Sequence, residues 1–180
     1  MKITFLGHAA FQLEIEGKLL VVDPFIAANP LASTIDISTL KADYILITHG
    51  HQDHVLDVEP ISKNNPKAIV VSNYEIVTWF GKKNSNGHPM NHGGSNEFDF
   101  GRVTYVNAVH SSMLPDGSYG GNPGGFVIEA EGKILYIACD TALTYDMKLI
   151  PDTIGQVDLA ILPIGDNFTM GYKDAATAAS

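Results

Sequence analysis

The sequence predicts a layered α/β fold. Three features carry that prediction: two hairpins of alternating apolar and polar residues closed by glycine turns, several short aliphatic runs that are apolar on both faces, and helical segments set between those runs. A strand with no polar face must be covered on both sides, so the helices are expected to lie over the sheets rather than apart from them.

The elements follow in chain order. Met1 to Leu6 reads as a strand. In "FQLEIEGKLLVVD" the residues Phe11, Leu13 and Ile15 share one face while Gln12, Glu14 and Glu16 share the other, and Gly17 turns the chain into the fully apolar strand that ends at Asp23. Tyr44 to Ile47 is the next apolar run. A helix is expected over Val58 to Asn64, capped by Asp57 and with Pro60 in its first turn. Strand Ala68 to Val71 and helix Tyr74 to Phe80 come next, with Trp79 and Phe80 packing that helix onto a sheet. Lys82 to Asn96 and Met113 to Gly125 are rich in Gly, Pro and Asn and are read as long functional loops on either side of strand Val103 to Ala108. The hairpin grammar then returns in "FVIEAEGKILYIACD", where Phe126 matches Phe11 and Glu131-Gly132-Lys133 matches Glu16-Gly17-Lys18. Either the two halves descend from one duplicated unit, or two ordinary hairpins have converged on the same turn. A helix from Ala142 to Ile150 stopped by Pro151, a strand from Leu159 to Leu162 and a helix from about Tyr172 complete the reading.

Composition narrows the function. With 180 residues and 45% hydrophobic content, residues 1–180 are expected to form one domain with a sizeable core. Met1 to Leu6 lacks the basic and apolar regions of a leader, and no aliphatic run approaches the roughly 18 residues of a membrane span, so a cytoplasmic protein without membrane contact is expected. The lone cysteine, Cys139, allows no intrachain disulfide and no multi-thiolate zinc knot. A net charge of −9 with a single arginine, Arg102, leaves no basic stripe for a phosphate backbone, which argues against nucleic acid as a partner and for a small-molecule substrate. Homo-oligomerisation stays open.

The chemistry is concentrated in "ILITHGHQDHVLD". His49 and His51 stand two apart at the end of a strand, so extended backbone aims both imidazoles to one side; Asp53 and His54 follow where the chain turns toward a helix. A solvated histidine-rich turn is the plain alternative, but it gives no reason for three of seven histidines and an aspartate to gather at the mouth of a buried strand. Imidazole nitrogens and carboxylate oxygens without thiolates suit a catalytic zinc, manganese, iron or nickel ion; ligand type alone does not choose among them, and two divalent ions with zinc first are the working expectation. His110 and Asp140 also end strands, although either alone equally fits a packing residue or a helix cap. Asp23, followed by Pro24, is read as a turn residue; Cys139 as a small buried hydrophobe pointing away from Asp140; His8 as a turn residue or a neighbour of the cleft.

These stretches, together with "FLGHAAFQLE", "VVDPF", Asn29-Pro30, "MNHGGS", His110-Ser111-Ser112, "GNPGGFVI" and "ILPIGDNFTMG", resemble the metallo-β-lactamase-fold hydrolase superfamily over nearly the whole chain. Within it they are similar to the bacterial and archaeal metal-dependent hydrolases related to L-ascorbate phosphate lactonases. The resemblance implies an αββα sandwich and a binuclear centre in which His49, His51 and His110 hold one metal, Asp53 and His54 hold a second, and Asp140 bridges them. It further implies a metal-bound hydroxide attacking a small ester, lactone or phosphoester, with Asp53 orienting the nucleophile or carrying a proton, and Ser111 and Ser112 as candidates for substrate contact. Family members place a further histidine after the last strand, whereas His8, His49, His51, His54, His88, His92 and His110 are the seven here. The expectation is therefore a chain lacking its C-terminal strand and last ligand segment, with a weak second site. The alternative is a metal-binding or sensory protein with little or no turnover; a nuclease of the same superfamily is disfavoured by the charge.

Overall fold

The computed structural model describes residues 1–180. One sheet sets β1 (Lys2–Gly7), β2 (Ala10–Ile15), β3 (Lys18–Val22), β4 (Tyr44–Leu46), β5 (Ile69–Asn73) and β6 (Asn86–Met90) side by side in chain order. The first three are antiparallel and the rest parallel. The second sheet has the order β11 (Leu159–Ile161), β10 (Lys133–Ile137), β9 (Gly124–Ala130), β8 (Gly101–Asn107), β7 (Ser95–Phe98), antiparallel except where β11 joins β10. The helices are α1 (Gln52–Val55), α2 (Val58–Asn64), α3 (Tyr74–Gly81), α4 (Leu149–Thr153) and α5 (Tyr172–Ala178).

Side-chain alternation sorts these elements into four layers. Leu20 and Val22 point between the sheets, where they join Leu46, Val71, Phe126, Ile128 and Ile137 in the largest core cluster; Val21, between them in sequence, points outward to Ile45, Val58, Ile61 and Phe80 beneath α2 and α3. On the far side Val127 and Tyr136 meet Ile150 of α4. This is the expected αββα sandwich. Phe126 lies wholly buried at the centre of the inter-sheet core, so Phe126→Ala is expected to lower unfolding free energy by about 3–5 kcal/mol in a urea titration.

Both hairpin turns have two residues with positive φ, Glu16 (50°) with Gly17 (73°) and Glu131 (53°) with Gly132 (67°), the backbone whose twist matches a two-residue hairpin. The likeness between the halves extends to topology: β1 to β4 and β8 to β11 each pair antiparallel, antiparallel, then parallel.

Three local expectations are corrected. Lys82 to Asn96 is not a loop but contains all of β6 and the start of β7. β6 is an edge strand, which tolerates Pro89, and its Gly87 lets α3 approach: a Cβ there would lie 2.4 Å from Cγ1 of Val77. The helix expected from Ala142 to Ile150 starts only at Leu149, after a single 3-10 turn over Tyr145–Lys148. The chain before it is extended at Thr144 (φ −133°, ψ 156°), with the Ala142 N–H given to the carbonyl of Val109, and Pro151 sits in the first turn of the real helix rather than after its end. Asp57 does precede α2, but its carboxylate accepts from the N–H groups of Ile26 (2.6 Å) and Ala27 (2.9 Å), tying down the loop after β3 instead of capping. No helix is long and apolar enough to cross a membrane.

Candidate metal centre

The C-terminal ends of β1, β3, β4, β8 and β10 converge on one rim of the sandwich, and the chain that leaves each strand delivers one part of a cluster. These parts are His8, Asp23, His49 to His54, His110, and Cys139 with Asp140. The six residues singled out in the sequence, His49, His51, Asp53, His54, His110 and Asp140, all lie there.

His49, His51 and His110 each offer one ring nitrogen, the three lying within 4.8 Å of one another. Hydrogen bonds determine which nitrogens face inward. The Thr48 hydroxyl donates to Oδ2 of Asp23 at 2.6 Å, so toward Nδ1 of His49, 3.0 Å away, it is an acceptor. His49 therefore carries its proton on Nδ1 and turns the lone pair of Nε2 toward Nδ1 of His51, at 3.0 Å. The other nitrogen of His51 faces Oγ of Ser111 at 3.2 Å. Burial, reinforced by the neighbouring imidazoles, holds the His49 pKa well below the usual histidine value, and burial with His110 lowers that of His51, so neutral ligating rings are favoured.

A second grouping centres on His54, which is fully buried. Its Nδ1 lies 3.0 Å from Oδ2 of Asp23, and its Nε2 lies 3.5 Å from Oδ2 of Asp140 and 3.9 Å from Oδ2 of Asp53, with no hydrogen-bond partner of its own. Oδ2 of Asp140 is also 3.7 Å from Nε2 of His110, which places this carboxylate between the two groupings. Burial opposes protonation of His54, but the carboxylates of Asp140 and Asp23 beside it outweigh burial and raise its pKa. Asp53 is held down to about 2, chiefly by the hydrogen bond from His8, and stays ionised. Nitrogen and carboxylate donors around a buried, unpartnered ring nitrogen fit a divalent cation.

Two residues read otherwise in the sequence belong here. Asp23 is no mere turn residue: fully buried, it accepts from the Thr48 N–H (2.8 Å), the Thr48 hydroxyl, His54 and the Cys139 thiol (2.7 Å). Cys139 does not point away from the site, because a φ of 51° breaks the strand alternation from which that direction was inferred. Burial, with Asp23 beside it, pushes its thiol up to about 12, so it remains a donor to Asp23. The available signal was an aspartate at the end of a wholly apolar strand, since a buried carboxylate must find donors. No local pattern in the sequence marks Thr48 for its role between Asp23 and His49. Of the serines, Ser111 lines the cavity, whereas Oγ of Ser112 accepts from Gly50 (3.0 Å) and donates to Gly120 (2.9 Å), shaping the turn between His49 and His51. His88 packs on Phe98, and His92 bonds the Pro123 carbonyl (2.9 Å) while stacking on Tyr105, so neither joins the cluster.

His51, Asp53, His110 and Asp140 of the cluster line a cavity of about 580 Å³ together with Phe11, Ile137, Ile161, Ile164 and Phe168. A four-layer sandwich with histidines and carboxylates gathered at its rim defines a metallo-β-lactamase-fold hydrolase. The chain belongs to the beta-lactamase superfamily: the family model described as "Beta-lactamase superfamily domain" matches residues 2–180. It is 66% identical over 178 residues to a metal-dependent hydrolase of Flavobacterium johnsoniae, covering 99% of this chain and 78% of that protein. It is 52% identical to a metal-dependent hydrolase of Methylacidiphilum infernorum, covering 99% of this chain and 79% of the relative. Among solved structures, Igni18, a metallo hydrolase from the archaeon Ignicoccus hospitalis, superposes with a TM-score of 0.85 at 33% identity, covering 98% of this chain and 76% of that one.

Proposed function

We propose that this protein hydrolyses a small neutral ester or lactone at a binuclear centre, with zinc the first choice of metal, in the cytoplasm and without nucleic-acid partners. The observation that carries this reading is the lining of the cavity. His51, His110, Asp53 and Asp140 share it with Phe11, Ile137, Ile161, Ile164 and Phe168, and no lysine or arginine lines it. Without a cationic clamp, a phosphoester has less to hold it than an ester with an apolar portion has. His49, His51 and His110 would hold one cation and Asp53 and His54 another, with Asp140 between them. A bound divalent cation supplies Lewis acidity, polarising the substrate oxygen and lowering the pKa of a coordinated water from 15.7 to about 7.

The chain's own groups do the positioning. Asp53, ionised and half-exposed at the cavity, accepts a hydrogen bond from the attacking water and orients it; with a pKa near 2 it is too weak a base to remove the proton unaided. The Asp23 carboxylate fixes the ring of His54, and Thr48 fixes that of His49. Phe11 and Ile161, both partly buried, offer the substrate's apolar part a surface to pack on.

The test is a panel of neutral esters, lactones and phosphoesters offered to protein reconstituted with zinc or manganese. Turnover of a neutral ester or lactone is the expected result; phosphoester turnover alone, or none by fully loaded protein, would overturn the reading. Asp53→Asn, which removes a carboxylate donor of the second cation and the acceptor that orients the water, is expected to lower kcat by about 10²-fold, read by steady-state kinetics on the best substrate.

A further inference from the structure

His8 is the one histidine at the rim that the ligand assignment above leaves unused. It lies in the turn between β1 and β2, far in sequence from the other ligands, yet its Nε2 is 3.2 Å from Oδ2 of Asp53. The imidazole is held there by edge contacts with the rings of Phe25 at 5.6 Å and His54 at 5.2 Å. One ligand atom from each of His8, Asp53 and His54 lies within 4.8 Å of the other two.

An ordinary surface ion pair between His8 and Asp53 would explain only part of this. Such a pair is worth about 0–1 kcal/mol and makes no demand on a third residue. Here the third residue is His54, whose Nε2 is buried, has no hydrogen-bond partner, and is 3.9 Å from the same Asp53 oxygen that His8 meets. An orphaned buried nitrogen costs roughly 1–3 kcal/mol unless something satisfies it. A shared cation does so, and it accounts for the approach of all three side chains.

We propose that His8 is a ligand of the second divalent cation, completing with Asp53 and His54 a three-residue site beside the one formed by His49, His51 and His110. This rests on the metal-centre reading above and extends it by assigning a donor from the first hairpin. Two nitrogens and a carboxylate oxygen, with Asp140 3.5 Å from His54, match the donor set that zinc or another first-row divalent ion accepts. The position also couples metal occupancy to the β1–β2 turn, whose residue 8 has a φ of 53°.

Titration of metal-free protein with Co²⁺, followed by calorimetry and by the visible absorption of the bound ion, tests the assignment without relying on turnover. The wild-type chain is expected to take up two ions per molecule in two steps. His8→Asn, chosen because asparagine tolerates positive φ, is expected to retain the first step and its spectrum while weakening the second by at least tenfold. Its metal-free melting temperature should match the wild type, as befits a half-exposed position. A second step of unchanged affinity in His8→Asn, or a wild-type chain that binds a single ion, overturns the inference. Absence of the first step in the wild type would instead overturn the metal-centre reading itself, so the two failures are distinct.

Discussion

Asp23→Ala is expected to destabilise the protein by about 3–5 kcal/mol and, in the fraction that folds, to weaken metal retention about 10–100-fold. One buried carboxylate accepts from the Thr48 N–H, the Thr48 hydroxyl, His54 and the Cys139 thiol. Its removal leaves all four donors buried without an acceptor and frees the rings of both His49 and His54 to rotate. Asp23→Asn should not rescue, because its amide N–H₂ would face donors where Oδ2 now accepts. Urea denaturation and calorimetric titration with Zn²⁺ read the two effects separately. A variant with wild-type stability and wild-type affinity would show that this network neither braces the core nor aims the histidines.

Chelation is expected to abolish hydrolysis and to lower the melting temperature. An ion that binds only the folded state at a hundred times its dissociation constant contributes about 2.7 kcal/mol. For a chain of this size each kcal/mol corresponds to about 2–4 °C, so the expected drop is roughly 5–10 °C. Both losses should reverse on adding back the metal. His49→Ala should shrink the drop caused by chelator, since the most deeply buried imidazole of the His49, His51 and His110 group is gone. Scanning calorimetry with and without chelator is the measurement, and a wild-type melting temperature indifferent to both chelator and added zinc would contradict the assignment.

What could be read in advance follows the range of the interaction concerned. Both hairpins were legible because their evidence is local: alternation in Phe11, Leu13 and Ile15, and a glycine where the two-residue turn needs positive φ. Helix α3 was legible as Tyr74 to Phe80, and the structure adds that the Asn73 side chain accepts from the N–H of Ile76 to cap it. Strand β6 was not, because its glycine, proline and asparagine are loop residues everywhere except at an edge under a closely packed helix. The start of α4 was misplaced because the chain before it is held extended at Thr144 and tied by Ala142 to Val109, 33 residues earlier in the chain, which no local pattern announces.

The site divides in the same way. His49, His51, Asp53 and His54 fall within six consecutive residues, and the two-residue period of extended chain was enough to gather the first pair. The sequence by itself thus determined the layered fold, the hairpins and the donor-rich turn after β4. Only the tertiary structure decided that Asp23 faces inward to Thr48 and His54, separated from it by 25 and 31 positions, and to Cys139, separated by 116. It also decided that His8 meets Asp53. The physical reason is that a buried carboxylate takes whatever donors the packed layers bring to it, and which donors those are depends on how strands far apart in the chain are stacked.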